Sequence, residues 1–353
     1  MKLGCFLFLS CLATALAAPV EVVPHDFHGA VQPQVTVAPS GAVHVVFGQG
    51  TAVYHTSSAD GREFSKPIKV GELEKLALGR RRGPRVVASN GVVLVTAISH
   101  ADGNLHAWTS SDDGKTWKEG AALNAKDGSA KEGLQALAGD GLGHVAAVWP
   151  DMRSGGMEVW SRESRDGGKS WQPEVRVYAA PGGNICPCCV PNVAISPKGK
   201  VAVTWRNLVD GFRDVHVATR DGDKPFSPAI KLGTGTWKFE GCPMDGGGLA
   251  FSPGGNWLAV WRRDKDVFAS LAESQELPLG TNGSQPVAAY AGVTPVMIWE
   301  SGDALMMKRG DAPAAKFADG AKFASAASGK DAACVVWEGT AAEGKTLLFE
   351  RLP

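Results

Sequence analysis

Short apolar runs recur along the chain, and most of them end in an aromatic residue. The strongest are Val43–Phe47, Val92–Ala97, Val145–Trp149, Val201–Trp205, Trp257–Trp261, Val296–Trp299 and Cys334–Trp337. Around each run the order is the same: an alternating strand, turn residues, the apolar run, a polar loop and a third strand. The runs follow one another at intervals of roughly 40 to 56 residues. This pattern predicts a repeated unit of antiparallel strands.

A second motif follows the third strand of several units. Ser110–Trp117 and Ser164–Trp171 share the form S-x-D-x-G-x-[TS]-W, and Ser57–Phe64 and Thr219–Phe226 are weaker copies. An Asp that caps backbone N–H groups, a Gly that adopts positive φ and an aromatic residue that packs on the sheet are typical of a hairpin turn. The motif therefore predicts a turn between the third and fourth strands of a unit.

These motifs resemble the Asp-box (BNR) repeat of sialidase-like β-propellers. The resemblance implies an all-β fold, a β-propeller built from four-stranded antiparallel blades. Seven copies of the apolar run favour seven blades, whereas the sialidases proper have six, which remains the alternative. The last unit, Lys322 to Leu352, has only three strands. We expect Val20–Val23 to supply its fourth strand and so to close the ring.

The N-terminus has the pattern of a secretory signal. Lys2 precedes an apolar stretch, and Ala15-Leu16-Ala17 forms a small-x-small cleavage site. We therefore expect residues 1–17 to be a signal peptide, residues 18–353 to form a single propeller domain, and the mature protein to be periplasmic or secreted. Thirty-six basic and 36 acidic residues balance, which argues against a nucleic-acid partner, and the apolar stretch is too short for a membrane span.

Propeller topology predicts where ligands bind. The first strand of each blade lines the central channel, so the start of that strand and the loop after the second strand share one face. The Asp-box turns lie on the opposite face. Small-molecule sites favour such concave openings, and we expect a small-molecule, glycan or metal ligand at this channel mouth.

Two neighbouring units place sulfur at this mouth. Cys186-Pro-Cys188 and Cys242-Pro-Met244 occupy equivalent positions, at an offset of 56 residues (186 to 242), and Cys189 follows directly. Disulfide stapling of adjacent blades is one interpretation. The other is a soft-metal site, because thiolates and a thioether suit Cu(I), with zinc possible through thiolates alone. A reactive or redox-active thiol is a third.

The resemblance also implies a second function, an exo-acting glycoside hydrolase on acidic sugars. Sialidases hold a sugar carboxylate with arginines and use a Tyr nucleophile, and arginine forks grip carboxylates in a bidentate manner. The mouth-facing candidates are Arg85, Arg153, Arg206 and Arg262. None of the three tyrosines, Tyr54, Tyr178 and Tyr290, has the expected position, so the first hypothesis is a binding protein. A protein-interaction platform fits the same sequence.

Overall fold

The computed structural model describes residues 18–24, 26–272 and 275–353. The predicted signal peptide, residues 1–17, lies outside these ranges. The strands form seven separate antiparallel sheets arranged as blades, which confirms the prediction of a seven-bladed propeller over the six-bladed alternative. No helix in the described ranges is long and apolar enough to cross a bilayer.

The blades follow chain order. Blade 1 consists of β2 (Val31–Val37), β3 (Val43–Gln49), β4 (Ala52–Ser58) and β5 (Ile68–Glu72). Blade 2 consists of β6 (Arg85–Ser89), β7 (Val92–Ile98), β8 (Leu105–Ser110) and β9 (Lys118–Glu119). Blade 3 consists of β10 (Ala136–Gly139), β11 (Val145–Asp151), β12 (Glu158–Ser164) and β13 (Val175–Ala179). Blade 4 consists of β14 (Asn184–Ile185), β15 (Asn192–Ile195), β16 (Val201–Leu208), β17 (Val215–Arg220) and β18 (Ile230–Lys231).

Three blades complete the ring. Blade 5 consists of β19 (Gly247–Phe251), β20 (Trp257–Arg263), β21 (Asp266–Leu271) and β22 (Leu277–Gly280). Blade 6 consists of β23 (Gly283–Ala291), β24 (Thr294–Ser301), β25 (Ala304–Arg309) and β26 (Ala315–Asp319). Blade 7 consists of β27 (Lys322–Ala327), β28 (Ala333–Ala341), β29 (Gly344–Leu352) and, from the other end of the chain, β1 (Val20–Glu21).

Blade 7 closes the ring as the sequence predicts. Val20 pairs with Phe349 and Glu21 with Leu348 in an antiparallel ladder. The following residue, Val22, is buried, and its N–H donates to the Leu347 carbonyl over 2.9 Å. The blade thus combines the two ends of the chain.

The apolar runs form the second strands, and their aromatic ends fill the space between blades. Trp149, Trp261, Trp299 and Trp337 are completely or almost completely buried. The first strands of successive blades contact one another around the ring and therefore line its centre. Because the β-period is two, side chains of each second strand alternate between the two neighbouring blades.

The Asp-box turns have the predicted geometry. Asp112 accepts hydrogen bonds from Thr116 N at 2.9 Å and from the hydroxyls of Ser110 and Thr116, both at 2.7 Å, and Gly114 has φ of +85°. The aromatic residue reaches beyond its own sheet: Trp117 packs against His55 of blade 1, with ring centroids 5.2 Å apart. Each Asp-box therefore also fastens its blade to the preceding one.

Candidate functional site

The cysteine motif lies in a loop that interrupts the inner strand of blade 4. β14 pairs with Asn207 and Leu208 at the end of β16, and β15 pairs with Val201–Thr204 of the same strand. The residues between β14 and β15 leave the ladder opposite Trp205 and Arg206. The Cys186 N–H returns to the Arg206 carbonyl at 2.7 Å, which anchors the loop at the channel mouth.

Three sulfur atoms converge in this loop. The Sγ atoms of Cys186, Cys188 and Cys189 all lie within 4.8 Å of one another, and the three residues are buried. Cys186 Sγ is 2.9 Å from Cys189 Sγ and 3.6 Å from Cys188 Sγ. Two thiolates on a tetrahedral ion with bonds of ~2.3 Å lie ~3.8 Å apart, so small side-chain shifts would place this triad around a metal. All five cysteines in the described part of the chain are free thiols.

A buried guanidinium group lies beside the triad. Arg213 is buried and donates from Nη1 to Cys186 Sγ over 3.3 Å. Hydrogen bonds from Cys188 and Cys189, together with this guanidinium, hold the pKa of Cys186 well below its usual range. Burial and the hydrogen bond to Cys186 raise the pKa of Cys189. The triad therefore favours a thiolate at Cys186 and a thiol at Cys189.

The equivalent segment of blade 5 lies against the triad, as the offset of 56 residues (186 to 242) predicts. Met244 packs on the three cysteines. Cys242 is exposed, and a hydrogen bond with Cys188, followed by partial burial, raises its pKa. Arg213 connects the two segments, because its Nη2 donates to the Gly241 carbonyl at 2.9 Å while Nη1 faces Cys186.

A loop from blade 2 crosses the channel mouth. This arginine loop (residues 79–83) contains Arg80 and Arg81 in left-handed conformations, with φ of 51° and 70°. Arg80 donates to the Met244 sulfur of blade 5, and Arg81 donates to the carbonyl and the side-chain oxygen of Gln285 in blade 6. Arg82 donates to the Glu132 carbonyl, which precedes blade 3. One loop thus reaches three other blades.

Of the predicted arginines, Arg206 lies beside the triad and Arg262 lies beside Arg206. Arg206 is buried and donates to the carbonyls of Arg213 and Arg262, at 2.5 and 2.9 Å. Arg262 lies 3.6 Å from the carboxylate of Asp245, and both guanidinium groups lie over the Trp237 ring. Burial raises the pKa of Asp245 in spite of the nearby arginines. These two side chains are therefore already part of a packed polar cluster.

The other two predicted arginines lie elsewhere. Arg85 is buried and donates to the carbonyls of Arg81, Gly83 and Pro84, and burial lowers its pKa to about 9. Arg153 is ion-paired with Asp151 and Glu174, at 2.7 and 2.6 Å. The structure thus brings Arg206 to the sulfur cluster and Arg262 next to Arg206, and it places Arg85 and Arg153 elsewhere.

Three buried carboxylates connect successive blades around the mouth. Asp245 accepts from the N–H of Gln285, Glu300 from that of Phe323, and Glu338 from that of Gln32. Each donor has positive φ and stands at the start of the next blade. Burial raises the pKa of Glu300 and of Glu338. Asp245 and Gln285 were not among the sequence candidates, although Asp245 directly follows the Cys-Pro-Met motif.

Comparisons with known proteins agree with this fold. Residues 33–195 match the family model of the BNR repeat-like domain. A comparison with curated protein sequences gave no match. Among solved structures, an α-L-arabinanase of Penicillium chrysogenum complexed with arabinobiose is similar, with 12% identity, a TM-score of 0.54 and coverage of 96% of this chain and 98% of that one.

Two further structures extend the likeness. A Hadza microbial sialidase has 15% identity and a TM-score of 0.54 over 83% of this chain and 68% of that one. The Aleuria aurantia lectin in complex with α-methyl-L-fucoside has 10% identity and a TM-score of 0.51 over 95% of this chain and 97% of that one. At such identities the likeness shows the fold alone, a β-propeller, and function must come from the site itself.

Proposed function

We propose that this BNR-repeat propeller is an exported binding protein that holds one Cu(I) ion at the channel mouth. The observation that supports it is the convergence of three buried sulfur atoms within 4.8 Å. Cys186, Cys188 and Cys189 would be the thiolate ligands, and Met244 would complete the site or cover it. Periplasmic or secreted location is part of the proposal, since it rests on the predicted signal peptide.

The chemistry of the donor set favours copper over zinc. Structural zinc takes four Cys or His ligands, whereas a thioether is a soft ligand that suits Cu(I). In the described residues, the cluster of possible metal ligands contains three cysteines and no His, Asp or Glu. The buried guanidinium of Arg213 offsets part of the negative charge that three thiolates bring into a buried site.

The same geometry weakens the disulfide alternative without removing it. Three thiols cannot all pair within the triad, so a disulfide between Cys186 and Cys189 would leave Cys188 with only the exposed Cys242 as a neighbouring partner. Native thiol counting distinguishes the two states. Two disulfides in the mature exported protein, together with no copper uptake after reduction, would overturn the metal proposal.

The direct test is anaerobic titration with Cu(I) held by a chromogenic chelator. Wild-type protein should remove one equivalent of copper. Cys189→Ser and Met244→Leu should weaken binding, the first by tenfold or more. Cys334→Ser is the matched control, because Cys334 is also a buried free thiol but lies on β28, away from the triad. Equal affinity in wild type and Cys189→Ser would contradict the proposal.

Glycoside hydrolysis is a second candidate, supported by the buried acids at the mouth. Glu300 and Glu338 have raised pKa values, as a general acid requires, and Arg81 supplies positive charge near Glu300. Two features count against this function. The arginine loop crosses the mouth where a sugar would bind, and the Arg85 guanidinium donates to backbone carbonyls instead of facing a ligand. Turnover of an acidic-sugar glycoside that is lost in Glu300→Gln would support this function, and no turnover across a glycoside panel would exclude it.

A further inference from the structure

The triad is buried, but one sulfur beside it is not. Cys186, Cys188 and Cys189 are 1, 7 and 3% exposed. Cys242, by contrast, is exposed, and it directly follows Gly241, whose carbonyl accepts a hydrogen bond from the same Arg213 that donates to Cys186. Cys242 is therefore the thiol that lies between solvent and the buried cysteine triad.

The segment that carries Cys242 is held in place from both sides. The carbonyls of Phe239 and Gly241 accept hydrogen bonds from Arg213, at 3.1 and 2.9 Å, and Arg213 itself donates to Cys186. Two residues after Cys242, Met244 packs on the triad. The position of Cys242 is thus fixed relative to the three buried sulfurs rather than left to a free surface loop.

From this arrangement we propose that Cys242 is the exchange ligand through which Cu(I) enters and leaves the buried triad. The inference rests on the proposed copper function. A Cu(I) ion passes between sulfur ligands by forming the bond to the incoming sulfur before the bond to the outgoing one breaks. An external chelator or donor thiol cannot reach the buried triad, but it can reach Cys242.

The transfer balances without a change of oxidation state. The donor's ligand leaves copper as the Cys242 sulfur binds it, and the Cys242 proton passes to solvent or to the released donor. Copper then bonds to Cys188, whose proton returns to Cys242. Cys186 binds as the thiolate, Cys189 releases its proton to solvent as it binds copper, and Cys242 is again a free thiol.

The rim around Cys242 fits this role. Phe212 and Phe239 are 38 and 37% exposed, and residues 212 and 238 of the two loops pair through a β-bridge. The Phe239 ring lies against Gly241, the residue before Cys242, and provides apolar surface near the thiol against which a bulky aromatic copper chelate can rest. The chelate is accordingly a suitable probe of the exchange step.

The test separates rate from affinity. Stopped-flow absorbance follows copper uptake from a chromogenic Cu(I) chelate under anaerobic conditions, and equilibrium titration gives the affinity. Cys242→Ser should slow uptake and release by tenfold or more, with affinity changed by less than about twofold, since uptake and release share the same path. Cys334→Ser should match wild type in both measurements.

The outcomes distinguish this inference from the function on which it rests. If wild type takes no copper, the copper function itself fails. If wild type binds copper and Cys242→Ser exchanges it at the wild-type rate, only the exchange role fails. A Cys242→Ser variant whose affinity falls by as much as that of Cys189→Ser would also overturn it, because Cys242 would then be a permanent ligand. Maleimide capping of Cys242, confirmed by mass, should reproduce the slow exchange.

Discussion

Arg213 Nη1 lies 3.3 Å from Cys186 Sγ, and both groups are buried. The guanidinium also donates to the carbonyls of Phe239 and Gly241, so one side chain joins the blade 4 loop to the segment that leads into blade 5. This arrangement gives the sulfur cluster a fixed positive neighbour. Its effect on copper binding can be measured.

We expect Arg213→Gln to weaken Cu(I) binding about tenfold to a hundredfold. A hydrogen bond to a charged group contributes about 1.5–3 kcal/mol, and each 1.4 kcal/mol corresponds to a factor of ten in affinity. Competitive titration against a chromogenic chelator measures the change. Arg62→Gln is the control, because the Arg62 side chain is 88% exposed and pairs with Asp60 at the surface. An equal loss in both variants would contradict a local effect.

A buried histidine pair makes stability depend on pH. His44 Nδ1 and His55 Nε2 are 3.0 Å apart, and burial lowers the pKa of His55 to about 3. The unfolded chain binds a proton near pH 6.5 that folded His55 does not bind, so the free energy of unfolding must fall as pH drops below 6.5. The decrease should be about 1.4 kcal/mol per pH unit for this one proton.

Urea unfolding at pH 7 and pH 5 checks this prediction. Other groups also titrate in this range, so the informative quantity is the difference between wild type and His55→Gln. The variant should be less stable at pH 7 but should lose less stability between pH 7 and pH 5. Identical pH slopes would show that folding does not lower the pKa of His55.

The Asp-box glycine of blade 3 should be intolerant of a side chain for two separable reasons. Gly168 has φ of +97°, and a Cβ there would lie 2.8 Å from Cδ2 of the fully buried Leu94 in blade 2. Gly155 is the matched control. It also has positive φ, at +85°, but no atom lies within 4 Å of a Cβ placed there. Gly155→Ala should therefore cost only the backbone strain, about 1–2 kcal/mol, and Gly168→Ala about 1–3 kcal/mol more.

Thermal and urea unfolding of the two alanine variants give the comparison. The difference between their losses of unfolding free energy measures how tightly the Asp-box of blade 3 packs against blade 2. Equal destabilisation would mean that Leu94 moves aside without cost and that the turn does not join the blades.

Ring closure should depend on one buried side chain near the N-terminus. Val22 is 1% exposed and packs in a cluster with Val43, Phe47 and Phe349. Val22→Asp should lower the free energy of unfolding by several kcal/mol, because it places a carboxylate in an apolar cluster. Glu21→Gln, at the exposed position directly before Val22, is the control and should be nearly neutral. Chemical denaturation of both variants is the measurement.

The local chemistry of the sequence was sufficient to predict most of this fold. Apolar runs such as Val145–Trp149 form second strands because a strand buried on both faces needs continuous apolar residues. The offset between Cys186 and Cys242 placed two sulfur-bearing segments on neighbouring blades, and Met244 does pack on the triad. In each case the determining interactions lie within one repeat or between adjacent repeats.

The arrangement of the mouth could not be predicted in the same way. Arg80 contacts Met244, and Arg81 contacts Gln285, over 164 and 204 residues of sequence. Such contacts depend on loop conformations, here positive φ at two arginines, for which no periodic pattern exists. For the same reason the sequence offered Arg85 as a ligand-binding candidate, whereas the structure turns its guanidinium onto the carbonyls of its own loop.

The pairing of β1 with β29 sets an order of events for folding. Six blades can form from consecutive stretches of chain, but the seventh must wait until Val20 meets Phe349 from the opposite end. Closing so long a loop costs conformational entropy before the contact returns any stability, and contacts distant in sequence slow folding. Until the two ends of the chain meet, β29 has an unpaired outer edge, and the pairing with β1 is what covers it.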